Sequence, residues 1–195
     1  LREACDEAGV LMFSTATNEV TLGWIEELGL PCYKVASAHV TYYPLLEHTA
    51  RLGKPMILST GFSTLPEITR AVETIADAGN RQLAVLHCVG DYPMRPADAN
   101  LRMMATLRGM FGCPVGYSDH AIGPTVSLAA AAMGADIIEK HFNKRVAVAR
   151  ELAVACSHLG RSVSRREFDI CVYAQIALAH LQTSFVGEEM FKLPS

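Results

Sequence analysis

No two of the six cysteines, at positions 5, 32, 88, 113, 156 and 171, stand in a C-x-x-C pair. That absence excludes a zinc cage of paired thiolates. The scattered spacing does not suit a disulfide framework either, and it points to reduced thiols in a cytoplasmic protein. No stretch approaches the roughly 18 consecutive apolar residues of a membrane span. The opening LREACDEAGV has no basic end followed by an apolar run, so it does not read as a secretory leader. An excess of charge is also missing. Seventeen Lys and Arg against 20 Asp and Glu leave a net charge of −3, so no basic surface is expected to take nucleic acid. Runs rich in proline or serine and low-complexity segments are absent as well. What remains is a chain of 195 residues, half of them hydrophobic, which is enough for a buried α/β core.

Short apolar runs recur along the chain: Val10–Thr15, Cys32–Ser37, Pro55–Thr60, Leu83–Val89, Pro114–Ser118 and Asp136–His141. Each is nearly continuous in hydrophobicity, as in strands of a parallel sheet. Amphipathic segments lie between them, at Asn18–Glu27, Pro44–Arg51, Leu65–Ala78, Asn100–Gly109 and Thr125–Met133. A last helix is expected at Arg165–Leu181, with Phe168, Val172, Ile176 and Ala179 on one face. Strand starts fall about 22 to 30 residues apart, the size of one βα unit, and six units follow one another. A doubly wound sheet and a barrel both fit that order. Every strand, however, ends in polar residues at its C-terminal side. An open sheet concentrates its chemistry at one crevice, whereas a barrel distributes it around a ring of loops. The expected fold is therefore α/β, a (β/α)₈ TIM barrel, with about six units in residues 1–195. A complete barrel needs eight, so two units are expected to be missing from the N-terminal side.

The strand ends supply the candidate chemistry. Lys34, inside the run YKVAS, must bring its ammonium to the strand end, because burying it unpaired is costly. It reads as an anion ligand, as a snorkelling surface lysine, or as the amine of a Schiff-base aldolase. Ser59-Thr60-Gly61 precedes a helix, and its hydroxyls and amides can cradle an oxyanion or simply cap that helix. Ser14, Thr15 and Ser37 add hydroxyls on neighbouring strands. His120, in GYSDHAIG, and His141, in IIEKHF, end consecutive strands. Strands about 4.8 Å apart can bring two imidazoles to one metal, and Asp119 and Glu139 stand beside them. A lone strand-end histidine is more often only hydrogen-bonded. His87 is a further polar group among apolar neighbours.

The strings YKVAS, TYYPLLEHTARLGKPMILSTGFSTLPEI, LAVLHCVGDYP, PVGYSDHAIG and GADIIEKHF, in this order over roughly residues 1–142, resemble the sialic acid synthase (N-acetylneuraminate synthase) family. The resemblance implies a barrel enzyme of carbohydrate biosynthesis. It would condense phosphoenolpyruvate with an N-acylated hexosamine, such as N-acetylmannosamine or its 6-phosphate, and release phosphate. It also implies a divalent metal, Mn2+ or Mg2+, held by His120 and His141. Lys34, Ser37, Thr15 and Ser118 match residues that hold phosphoenolpyruvate, and Thr60 and Tyr92 fall in substrate-binding loops. Lys34, His120 and His141 are then the catalytic set, in a full-length form expected to be a homodimer.

Two departures bear on the acceptor. Family members carry a carboxylate five residues after the lysine, where this chain has His39. The stretch Asn143–Ser157 also lacks the Pro-Gly-Pro-Asp-like segment whose acid helps hold the sugar. The first two barrel strands and a small C-terminal antifreeze-like domain are not among these 195 residues. The alternative is therefore a non-catalytic barrel fragment that binds a metal or a phosphorylated ligand. The isolated chain is expected to be inactive.

Overall fold

The structure, a computed structural model, describes residues 2–7, 10–141 and 169–171. After a short helix α1 (Arg2–Glu7), strands and helices alternate. The order is β1 (Ser14–Thr15), α2 (Glu19–Glu27), β2 (Tyr33–Val35), α3 (Tyr43–Arg51), β3 (Met56–Ser59), α4 (Leu65–Asp77), β4 (Leu83–Cys88), α5 (Met103–Phe111), β5 (Val115–Asp119), α6 (Thr125–Ala132), β6 (Ile137–Lys140) and β7 (Asp169–Cys171). All seven strands are parallel and lie in sequence order, so each βα unit places its strand beside the previous one. The described strands form the wall of a curled half-barrel, the part of the expected (β/α)₈ architecture that these residues build.

Alternation along each strand separates two cores. Tyr33, Val35, Met56, Leu58, Leu83, Val85, Val115, Tyr117 and Ile138 face the helices, against Leu22, Ile25, Leu46, Ile68, Ile75, Leu107 and Val126. Cys32, Ile57, Ala84, Leu86 and Ile137, with Phe13, fill the inner face. Both faces of the sheet are thus apolar over most of its length, which is why the strand runs read as continuous. On the inner face, the next residues up each strand are polar, and they form the mouth.

The elements begin and end where local chemistry dictates. Asn18 accepts the Thr21 amide at 2.9 Å and the Thr21 hydroxyl accepts the Asn18 amide at 3.1 Å, a reciprocal cap on α2. At α4, the Glu67 carboxylate accepts both the amide and the hydroxyl of Thr64 at 2.7 Å.

Most boundaries fall within two residues of the sequence expectation, and three depart further. Of Val10–Thr15, only Ser14 and Thr15 pair with β2. The helix expected from Asn100 begins at Met103, because Asn100 adopts φ 42°, outside the helical range. The helix expected at Arg165–Leu181 does not run through Asp169–Cys171, which pair with β6 as a strand. Apolar spacing alone does not separate so short a strand from a helical turn. The rest of that segment lies outside the described residues.

Candidate active site at the barrel mouth

Three inward residues from three other strands, Ser59, Ser118 and Glu139, gather with Lys34 of β2. Its ammonium donates to the Ser59 hydroxyl at 2.8 Å and to the Val35 carbonyl at 2.9 Å, and stands 3.5 Å from Glu139 Oε2. The other oxygen, Glu139 Oε1, accepts from the Ser118 hydroxyl at 2.7 Å. Lys34 is 3% exposed and Glu139 9%, so this is a buried ion pair with its hydrogen bonds largely made. A snorkelling lysine would hold its ammonium in solvent. Lys34 instead carries a cation, already oriented, to the floor of the mouth.

The hydroxyls divide into two groups. Ser37, in the 3₁₀ turn Ser37–His39, accepts the Gly61 amide at 2.9 Å. A side chain at position 61 would lie 3.0 Å from the Ser37 hydroxyl and 3.2 Å from the Cys88 sulfur, so glycine lets these loops close. Thr15 pairs with Lys34 across β1 and β2 and is half-buried. The Thr60 hydroxyl, by contrast, donates to the Leu86 carbonyl at 3.0 Å. It ties two strand ends together and is not among the groups around Lys34.

The second cluster is aromatic. The His120 and His141 rings lie 5.3 Å apart between centroids. Tyr92 stacks on His120 at 3.8 Å and meets His141 edge-on at 5.3 Å. The Tyr92 loop is held there because the Met94 amide donates to the His120 carbonyl at 3.1 Å. Burial pushes the Tyr92 phenol up to about 12, so it stays protonated. His120 Nδ1 donates to the Val89 carbonyl at 2.8 Å, which leaves the lone pair on Nε2. Burial, reinforced by the neighbouring His141, lowers the His120 pKa despite the Val89 bond and the Glu139 charge, and keeps the ring neutral. A neutral imidazole with its other nitrogen bonded to a carbonyl is the form that ligates metals.

Among the described residues, no group of three or more His, Cys, Asp or Glu is placed to hold a metal. The two neighbouring imidazoles of His120 and His141 are the nitrogen donors that the described residues bring together at the mouth, a pair that would leave most of a cation's shell to water or substrate oxygens. Cys88 lies 3.9 Å from both ring nitrogens of His120, and burial raises its thiol pKa, which keeps it protonated. His39 holds a buried Nδ1 without a hydrogen-bond partner.

Asp119, named beside the histidines, and His87, the further polar group, point elsewhere. Asp119 faces the helices, bonded to Lys140, Ser127 and the Ala121 amide. His87 also faces outward, 2.9 Å from the Ala99 carbonyl through Nε2 and 5.6 Å from the Tyr117 ring. Glu139 is the partner of Lys34 that sequence reasoning did not assign. The signal was present, since Glu139 shares strand parity with His141, as Ser118 does with His120. The stretch Asn143–Ser157 lies outside the described residues.

The NeuB family matches residues 1–153. The chain is 36% identical over 143 residues to an N-acetylneuraminate-9-phosphate synthase of Drosophila melanogaster, covering 73% of this chain and 38% of that protein. It is 38% identical over 146 residues to an N,N'-diacetyllegionaminic acid synthase of Legionella pneumophila, covering 73% and 41%. The crystal structure of an N-acetylneuraminic acid synthetase from Leptospira borgpetersenii, in complex with citrate, superposes with a TM-score of 0.75 at 34% identity, over 82% of this chain and 59% of that one. The chain thus spans about two fifths of these curated relatives.

Proposed function

Because the chain belongs to the NeuB family, we propose that the protein carrying it is a sugar-acid synthase. It condenses phosphoenolpyruvate with an N-acylated hexosamine, N-acetylmannosamine or its 6-phosphate, and releases inorganic phosphate. The observation that carries this reading is the oriented Lys34 ammonium within the ring of Ser59, Ser118 and Glu139, beside two imidazoles.

In this reading Lys34, Ser37, Thr15 and Ser118 bind the phosphate and carboxylate of phosphoenolpyruvate. The Lys34 ammonium is held by Ser59 and the Val35 carbonyl before an anion arrives, whereas the Ser118 hydroxyl turns from Glu139 to meet it. Tyr92, whose ring is stacked on His120, takes part in binding the substrate. Carbon 3 of the enol attacks the open-chain aldehyde, whose oxygen takes up a proton. Water adds at carbon 2, and the C–O bond to phosphate breaks. His120 and His141 would hold Mn2+ or Mg2+, which when bound supplies Lewis acidity at the aldehyde oxygen. Lys34 acts as an electrostatic clamp. Its two hydrogen bonds and facing carboxylate are those of a held cation, not of an amine free to form a Schiff base.

The test is phosphate release by the full-length protein supplied with phosphoenolpyruvate, N-acetylmannosamine and manganese. Sugar-dependent release, reduced at least tenfold by His120→Ala or His141→Ala together with manganese affinity, supports the assignment. A double variant that binds manganese as tightly as the parent removes the metal from these histidines. Borohydride trapping of a keto substrate at Lys34 would replace the clamp by an aldolase. The 195-residue chain alone is expected to release no phosphate, because among the described residues the strands do not close into a ring around the mouth.

A further inference from the structure

The residues immediately before the two histidines form their own network on the helix side of the sheet. Asp119 and Lys140 are in register across β5 and β6. The Lys140 ammonium donates to Asp119 Oδ2 and to the Ala121 carbonyl, both at 2.8 Å. Asp119 Oδ1 accepts the Ala121 amide at 2.8 Å, and the Ser127 hydroxyl of α6 donates to Oδ2. Asp119 is 1% exposed and Lys140 9%. A buried ion pair of this kind is weak evidence for stability, since well-packed apolar replacements are often as stable or more so. This one instead joins three things: the end of β5, the end of β6 and the first turn of α6. Both polar groups of the Ala121 backbone are held by it, while the Met94 amide holds the His120 carbonyl from the other side.

Successive strand residues point to opposite faces, so anchoring Asp119 and Lys140, the last residues of β5 and β6, outside also directs the residue that follows each strand, His120 and His141, inside. We propose that Asp119 and Lys140 are positioning residues. Through the backbone they set the separation and aim of the His120 and His141 imidazoles for a shared divalent cation. The role rests on the metal reading of that histidine pair. The D in GYSDH and the K in IIEKH are then the outer half of the same device whose inner half is the two histidines.

The experiment uses the full-length protein, with manganese as probe. Manganese affinity is read from the paramagnetic resonance of the free ion, beside thermal unfolding without metal and exchange of the Ala121 amide. Lys140→Met alone leaves Asp119 buried and unpaired, and is expected to destabilise the fold. The informative variant is Asp119→Asn with Lys140→Met, which removes both charges and keeps an acceptor for the Ala121 amide. It is expected to unfold near the parental temperature, to bind manganese at least tenfold more weakly, and to exchange the Ala121 amide faster. Lys140→Arg is expected to retain most of the affinity. Ser127→Ala, which leaves the ion pair intact, is expected to lose about threefold and serves if the double variant does not fold. A folded double variant, or failing that Ser127→Ala, with parental manganese affinity overturns the positioning role and leaves the metal reading standing. A parent that binds no manganese overturns both.

Discussion

Lys34 and Glu139 are better understood as one unit than as two residues. The lysine meets the carboxylate at 3.5 Å, and Ser118 and Ser59 complete the shell from either side. In the proposed reading an incoming phosphate would share the ammonium with a carboxylate already there, so Glu139 would temper the clamp. Lys34→Met is expected to weaken phosphoenolpyruvate binding at least tenfold, about 1.4 kcal/mol or more, and to lower stability by leaving Glu139 buried and unpaired. Glu139→Gln should do the reverse for binding. With one negative charge gone, phosphoenolpyruvate affinity measured by calorimetry is expected to rise about two- to fivefold at low salt, by the Coulomb term of a nearby charge at an intermediate dielectric. Unchanged or weaker binding would show that Glu139 does more for the anion than repel it. Sequence reasoning reached Lys34 as a cation inside an apolar run, and Ser118, His120 and His141 as polar residues at or just past the end of one. It did not sort the remaining polar strand ends by face. Asp119 and His87 point to the helices while Glu139 points inward, and strand parity, counted from Lys34, Ser118 or the histidines, separates them.

At the scale of elements, the strand and helix runs were legible because the inner and outer cores are both apolar, and because caps such as Asn18 and Glu67 mark the helix starts. The packing between elements was not, since it depends on neighbours distant in sequence. Gly116 and Gly90 illustrate this. A Cβ on Gly116 would lie 2.2 Å from the Ile137 carbonyl oxygen, so β5 and β6 pack backbone to backbone there. A Cβ on Gly90 would lie 2.1 Å from the Phe62 ring, but that ring is 76% exposed and can swing away. Gly116→Ala is therefore expected to cost about 1–3 kcal/mol or more, as overpacking does where the backbone itself must move. Gly90→Ala should cost well under half as much, although Phe62 holds a left-handed φ of 62°. Denaturant midpoints of the two variants check the ranking. Equal losses would mean that Phe62 is pinned on Gly90 as firmly as a strand.

Over the whole molecule, histidine protonation couples the site to the stability of the fold. His87 and His120 both have lowered pKa values, in each case chiefly because burial disfavours the charged ring, and in each case against a backbone carbonyl that partly offsets it. Unfolding releases both to an ordinary value near 6.5. As pH falls through about 6.5, the unfolded chain therefore takes up protons that the folded chain does not. By linkage, stability declines until the pH reaches the lower folded values. The folded state is thus favoured above pH 6.5, where both rings are neutral, which is also the range in which His120 can ligate a metal. The metal-free protein is expected to lose melting temperature steadily between pH 7 and pH 5. His87 lies on the helix side, away from the mouth, so the two contributions can be separated. His87→Gln keeps a donor for the Ala99 carbonyl and removes one titrating group. It is expected to flatten the decline while leaving manganese affinity at pH 7.5 at the parental value. A parental slope in that variant would show that His87 does not carry the burial cost assigned to it, and the remaining dependence would then belong to His120.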